Sequence, residues 1–140
     1  MLIDVLLLFL SLVGFFIALY FTLVYYNKIS ANYFLVPRIC RMDESTCQSV
    51  LWTPEARVLG APNFVLGLIY YLLVFCTALF QLFCPGSIYH DFLLWTSIAA
   101  VIVGIYLVYS LLFRIKISCP LCFTSHGINL VIALLLLLKS

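Results

Sequence analysis

The chain has 140 residues, of which 66% are hydrophobic and only 9% are charged. A soluble domain of this size carries about 25% charged residues, so the composition excludes an ordinary soluble protein and indicates a membrane protein. The net charge of +2 is too small to suggest binding to DNA or RNA. We therefore expect contact with membrane lipid and no nucleic-acid partner.

Four apolar stretches predict four membrane-spanning helices, because a span needs roughly 20 apolar residues. The predicted spans cover about residues 2–26, 63–83, 92–113 and 119–138. The first stretch has no basic start and no clear cleavage site, which favours a retained span over a signal peptide. We expect an all-α membrane protein, a four-helix bundle that forms a single domain over residues 1–140.

The long connection between the first two spans, residues 27–62, carries helix signals of its own. Ser45–Gln48 match a capping box. Thr53-Pro54 is typical of a helix start, and Gly60 is typical of a helix end. We therefore expect one or two short surface helices within residues 46–60, and Pro62 as the first position of the second span.

Counting the spans gathers most of the distinctive residues on one side of the membrane. We call the side onto which residues 27–62 open the loop side, and the opposite one the far side. The second span leaves the loop side, the third returns and the fourth leaves again, so the motif Cys119–Cys122 (CPLC) lies on the loop side. On the far side, we expect His90 and Asp91 to lie in a solvated turn.

Six cysteines occur, and four of them fall on the loop side: Cys40, Cys47, Cys119 and Cys122. A C-x-x-C pair at a helix start feels unpaired backbone N–H groups and the positive end of the helix dipole, which stabilise a thiolate. Cys119 is expected to be the more exposed thiol. Cys122, one turn deeper, faces apolar surroundings that only a membrane-soluble reactant shares. The other two, Cys76 and Cys84, are interpreted as inert.

Polar residues of the fourth span form one stripe, which consists of Cys119, Cys122, His126 and Asn129. This stripe is predicted to face the bundle interior, because ionisable and polar groups avoid lipid. In the second span Asn63, Gly67 and Tyr70 share a face, and Asn63 begins at the depth of CPLC. Gly67 would allow a flat molecule or a neighbouring helix to approach closely.

These patterns favour a membrane thiol oxidoreductase. Cys40 and Cys47 would exchange with the CPLC pair through mixed disulfides, and a quinone would take the electrons from Cys122. Asn63 and His126 would donate hydrogen bonds to the quinone oxygens. Simpler roles stay open, namely a structural disulfide in the loop, an interior histidine, and an asparagine that only pairs with nearby backbone groups.

Other classes of function fit the sequence less well. Four cysteines on one side permit a structural zinc site, but the spacing of Cys40 and Cys47 is wide for such a site, and Cys122 would lie below the membrane surface. A transporter is disfavoured because no clear acid or base stands mid-membrane, and a di-haem carrier is disfavoured because the two histidines lie on opposite sides. We expect no metal.

The chain resembles the vitamin K epoxide reductase family, and most closely its short prokaryotic disulfide-forming members. The resemblance covers nearly the whole chain. It rests on four spans, the pair Cys40 and Cys47, the CQSVLWT…LGAPN-x-x-x-G stretch that begins at Cys47, and CPLC opening the last span.

The resemblance implies a role for each cysteine of the loop side. Cys122 would be the thiol that reduces a quinone such as ubiquinone or menaquinone, and Cys119 would exchange with Cys47. Cys40 would accept electrons from a thioredoxin-fold protein. Epoxide reduction is the reaction of the vertebrate members and is the less expected one here.

The resemblance also implies roles for other residues. Asn63, four residues before Gly67, would hydrogen-bond the quinone, and Thr53 stands where the family has a serine or threonine. His126 stands where vertebrate members carry a tyrosine, so their inhibitor binding does not transfer. We expect no fused thioredoxin-like domain of the kind that some bacterial members carry, because the sequence ends at Ser140. We therefore expect a separate partner and a monomer.

Two signals conflict on orientation. The loop side carries six of the seven basic residues: Lys28, Arg38, Arg41, Arg57, Arg114 and Lys116. The positive-inside rule would put that side in the cytoplasm, whereas disulfide chemistry and the resemblance favour the outside. We favour an extracytoplasmic loop side. A cytoplasmic one stays open, because intracellular disulfides are common in hyperthermophiles.

Overall fold

A computed structural model describes residues 1–26, 54, 57–58, 60–116 and 120–140. Among these residues, four helices are long and apolar enough to cross a membrane. They are α1 (Leu2–Tyr25), α2 (Asn63–Phe83), α3 (Ser87–Tyr109), which continues as a π-helical segment (Ser110–Ile115), and α4 (Pro120–Lys139). The predicted bundle of four spanning helices is confirmed.

The third helix is longer than the sequence predicts at both ends. The predicted solvated turn at His90 and Asp91 is wrong, because α3 begins at Ser87 and both residues lie within it. Apolar stretches mark the hydrocarbon-crossing part of a helix, whereas the helix itself continues into the polar interface. At the other end the π-helical segment stops at Lys116, which has a left-handed backbone with φ 56°.

A short hairpin precedes the second span. Strand β1 (Arg57–Val58) pairs antiparallel with β2 (Ala61–Pro62), and Gly60 has φ +82° in the turn between them. The predicted helix end at Gly60 is therefore wrong, because a glycine at positive φ serves a tight hairpin as well as a helix terminus. Helix α2 then starts at Asn63, and Pro62 precedes it. Of the helices predicted earlier in the loop, Pro54 is described, in a 3-10 helical turn; their other residues before Arg57 lie outside the described residues.

Close contact of α1 with α2 is the most extensive helix pairing, and α4 packs on α3 and on α1. Glycines permit the first pairing. A Cβ on Gly14 would lie 2.3 Å from the ring of Tyr71, and one on Gly67 would lie 3.6 Å from Cβ of Ala18. Small residues commonly let helix backbones approach in membranes, where van der Waals packing drives association.

Two groups of buried side chains fill the bundle. The central cluster draws on all four helices and includes Leu7, Tyr71, Val74, Leu93 and Ile132. The loop-side cluster consists of Phe21, Val24, Phe64, Leu111 and Leu121. In each span, only 28% of an 18-residue apolar stretch is buried inside the protein. So much exposed apolar surface suits lipid and would be unstable in water.

Candidate functional site

Of the four cysteines in the predicted relay, the structure describes Cys122. The other three, Cys40, Cys47 and Cys119, lie outside the described residues. Cys122 is half-buried in the first turn of α4 and packs against the loop-side cluster. That cluster includes Phe64, the residue after Asn63, so the start of α2 reaches the depth of Cys122, as predicted. The surroundings of Cys122 are apolar, which suits a membrane-soluble reactant.

Polar residues further along α4 face the bundle interior, as the helical stripe predicts. The hydroxyl of Tyr71 donates to Asn129 Oδ1 at 2.6 Å, lies 3.0 Å from Ser125 Oγ and is 3.1 Å from the Ser125 carbonyl oxygen. These contacts join α2 to α4 about one turn (Ser125) and two turns (Asn129) below Cys122. Sequence reasoning missed Tyr71, because it grouped the neighbouring Tyr70 with Asn63 and Gly67 on one face of α2. It also missed Ser125, which it did not include in the polar stripe of α4.

His126 lies between α4 and α3. A Cβ on Gly104 of α3 would come within 3.1 Å of His126 Nδ1, so the absence of a side chain at Gly104 makes room for the imidazole. His126 Nδ1 is buried and has no hydrogen-bond partner within the described ranges. Buried polar atoms are rarely left unpaired, so this nitrogen is a candidate to bind a ligand oxygen.

The residues predicted on one face of α2 contact different helices. Asn63 is half-buried at the first position of α2. Gly67 lies against Ala18 of α1, so it is the neighbouring helix α1 that packs closely at this glycine. The Tyr70 hydroxyl donates to Ser97 Oγ of α3 at 3.0 Å. Binding of a quinone by Asn63, Gly67 and His126 stays a prediction.

In the described part of the chain, no group of three or more His, Cys, Asp or Glu side chains is placed to hold a metal ion. Three of the four cysteines that a zinc site would use lie outside that part, so this finding does not bear on the zinc alternative. Cys76 and Cys84 are exposed, and neither forms a disulfide.

A second polar group, on the far side, was not predicted. Lys139 Nζ at the end of α4 donates to Asp4 Oδ1 of α1 and, at 2.7 Å, to Gln81 Oε1 of α2. The Met1 nitrogen lies 3.2 Å from Asp4 Oδ2. The sequence contained one indication of the contact between Asp4 and Lys139, because counting the spans places both residues on the far side.

The four spanning helices, the half-buried Cys122 and the inward polar stripe define a polytopic membrane protein with a thiol at one end of its bundle. The chain belongs to the vitamin K epoxide reductase family, whose family model matches residues 5–137. The match confirms the resemblance at the level of the family and identifies a membrane oxidoreductase. Members of the family act with quinones. No curated protein matches the chain.

Proposed function

We propose that this protein is a quinone-dependent thiol–disulfide oxidoreductase that drives disulfide formation in other proteins. The observation that carries the proposal is the position of Cys122. Its thiol lies in apolar surroundings at the loop-side end of the bundle, beside the start of α2 and above a stripe of inward polar residues. Family membership supports redox chemistry at this thiol.

The proposed relay moves two electrons through two cysteine pairs. A reduced thioredoxin-fold partner attacks the Cys40–Cys47 disulfide, leaves with its own disulfide formed, and yields two thiols in the loop. Exchange with the Cys119–Cys122 disulfide then reoxidises the loop pair, each step passing through a mixed disulfide formed by thiolate attack. The dithiol left at Cys119 and Cys122 gives up two electrons and two protons.

Ubiquinone, menaquinone or a similar quinone supplies the final two-electron acceptor. His126 suits a carbonyl oxygen, because its Nδ1 is buried without a partner among the described residues and can carry a proton to donate. Asn63 offers a carboxamide at the depth of Cys122, and Gly67, one turn further along α2, lets α1 pack closely beside it. The loop-side cluster packs against Cys122 and gives the thiol apolar surroundings.

In this proposal the protein works as a monomer with a separate thioredoxin-fold partner. Its loop side faces out of the cytoplasm. Disulfides persist in that compartment. The fourth span carries the thiol that faces the membrane, so the relay runs from the aqueous side toward the bilayer.

The test is a purified-protein assay with a reduced thioredoxin-fold substrate and a soluble quinone, in which each cysteine is replaced by serine. Cys122→Ser is expected to abolish quinone reduction, because serine cannot form the disulfide or deliver the electrons. Cys76→Ser is the matched control and should keep the wild-type rate, since Cys76 is exposed at mid-span.

Quinone reduction by Cys122→Ser at the wild-type rate would contradict the proposal. Bound zinc without turnover would favour the structural zinc site instead.

A further inference from the structure

A cavity of about 770 Å³ opens on the far side, at the end of the bundle opposite Cys122. All four helices contribute to its lining, which includes Asp4, Gln81, His90, Asp91 and Lys139. Its volume falls within the roughly 300–1,000 Å³ typical of small-ligand sites. The proposed thiol chemistry uses none of these residues.

Gln81 supplies a buried donor without an acceptor. Its side chain is only 6% exposed, and its Oε1 accepts from Lys139 Nζ at 2.7 Å. Because a lysine ammonium can only donate, the atom that faces Lys139 is the amide oxygen and the other is the nitrogen. The Nε2 group has no partner in the described ranges. An unsatisfied buried donor costs about 1–3 kcal/mol, so the position favours a ligand that brings an acceptor oxygen.

The start of α3 adds further donors at the same cavity. The residue before the helix is Gly86, which has no side chain that could cap the first turn. The first backbone N–H groups of a helix lack intrahelical acceptors and mark its positive end, which attracts oxyanions. Both ring nitrogens of His90 are likewise buried without a partner among the described residues.

A negative charge accompanies these donors. Asp4 is neutralised by Lys139, whereas Asp91 is exposed and forms no ion pair within the described residues. The lining therefore offers donors for an anion together with a free carboxylate for a cation. A molecule that carries a phosphate and an ammonium a few bonds apart satisfies both.

The position of the cavity indicates that this molecule comes from the membrane. It opens where spanning helices end, and exposed apolar side chains flank it, with Phe83 at 77%, Ile88 at 74% and Phe92 at 60% exposure. These side chains suit acyl chains. We infer that the cavity binds the headgroup of an amine-bearing zwitterionic phospholipid, with its phosphate at Gln81, Lys139 and the start of α3, and its ammonium at Asp91.

The test measures dissociation constants of delipidated full-length protein for phosphatidylethanolamine, phosphatidylcholine and phosphatidylglycerol with the same acyl chains, by native mass spectrometry. We expect phosphatidylethanolamine to bind most tightly. Asp91→Asn should weaken its binding by about 2- to 5-fold, as for one exposed ion pair, and should remove the preference over phosphatidylglycerol. Gln81→Leu should weaken binding of all three by about tenfold or more, as for a hydrogen bond to a charged group.

Tyr89→Phe is the matched control, because Tyr89 lies in the same turn of α3 but does not line the cavity; its affinities should equal those of the wild type. Asp91 is exposed, so Asp91→Asn tests the inference even if Gln81→Leu does not fold. Equal affinity for the three lipids, or an unchanged Asp91→Asn variant, overturns the inference. Free phosphoethanolamine that competes as well as the lipid overturns the assignment to a lipid.

Discussion

Tyr71 is held from two directions. Its side chain is only 1% exposed, its ring lies against the backbone of Gly14, and its hydroxyl contacts Ser125 and Asn129. The ring cannot move away from α1 without giving up the hydrogen bonds to α4. A glycine is therefore required at position 14 for a reason of space, not of backbone conformation.

Replacement of Gly14 by alanine should destabilise the protein by about 1–3 kcal/mol, as is typical of overpacked cores. The added methyl would lie 2.3 Å from the Tyr71 ring and would displace it. Gly67→Ala is the matched control on the facing helix. Its methyl would meet Ala18 at 3.6 Å, an ordinary contact, and alanine favours a helix by about 0.5–1 kcal/mol over glycine.

Thermal unfolding in one detergent compares the two variants. We expect a lower Tm for Gly14→Ala and an unchanged or higher Tm for Gly67→Ala. Equal Tm values for Gly14→Ala and the wild type would mean that α1 and α2 are packed less closely than the structure has them.

At the scale of elements, the bond from Tyr71 fixes α4 against α2. Ser125 lies about one turn from Cys122, and Phe64 at the start of α2 packs in the cluster that Cys122 contacts. Tyr71 thereby helps to position the thiol relative to Asn63.

Tyr71→Phe should lower the free energy of unfolding by about 1–3 kcal/mol, because the Asn129 carboxamide loses its partner inside the bundle. Tyr70→Phe is the control; it removes a single hydroxyl contact, to Ser97 on α3, and should cost less. Denaturant unfolding of both variants in detergent measures the difference. A larger loss for Tyr70→Phe would contradict the role given to Tyr71.

The sequence predicted α1, α2 and α4 nearly to the residue, because long apolar runs with polar ends are an unambiguous signal. It predicted the inward stripe on α4, because residue spacing alone decides which side chains share a face. It did not predict that Tyr71, not Tyr70, reaches α4. In a bundle, α2 has neighbours on more than one side, and only the packing decides which neighbour each tyrosine meets.

Other features depended on context that a local pattern lacks. Gly60 has the positive φ that the sequence suggested, but it lies in a hairpin turn. His90 and Asp91 are polar residues in a helix because that part of α3 lies at the membrane boundary. The π-helical end of α3 has no sequence signature that we recognise.

For the molecule as a whole, the orientation in the membrane decides which compartment would supply the proposed thioredoxin-fold partner. Arg57, Arg114 and Lys116 lie at the loop-side end, whereas Lys139 lies on the far side and pairs with Asp4. The basic residues favour a cytoplasmic loop side, and the proposed disulfide chemistry favours the opposite.

A reporter fused after Ser140 decides between the two. With an extracytoplasmic loop side, a fluorescent protein at that position lies in the cytoplasm and should fluoresce, and alkaline phosphatase there should be inactive. Fusion after Tyr26, where α1 has just ended, is the control and should give the reverse pattern. Active alkaline phosphatase after Ser140 would place the loop side in the cytoplasm.

The contact of Asp4 with Lys139 also bears on the order of assembly. The two residues stand 135 positions apart, and membrane helices are made one after another from the N-terminus. Until synthesis of α4 is complete, Asp4 can pair with the Met1 amine of its own helix but not with Lys139, and a buried charge near a bilayer is costly unless it is well paired. The last helix to be made thus supplies the second ionic partner of Asp4, and a chain truncated before α4 would leave Asp4 without its bond to Lys139.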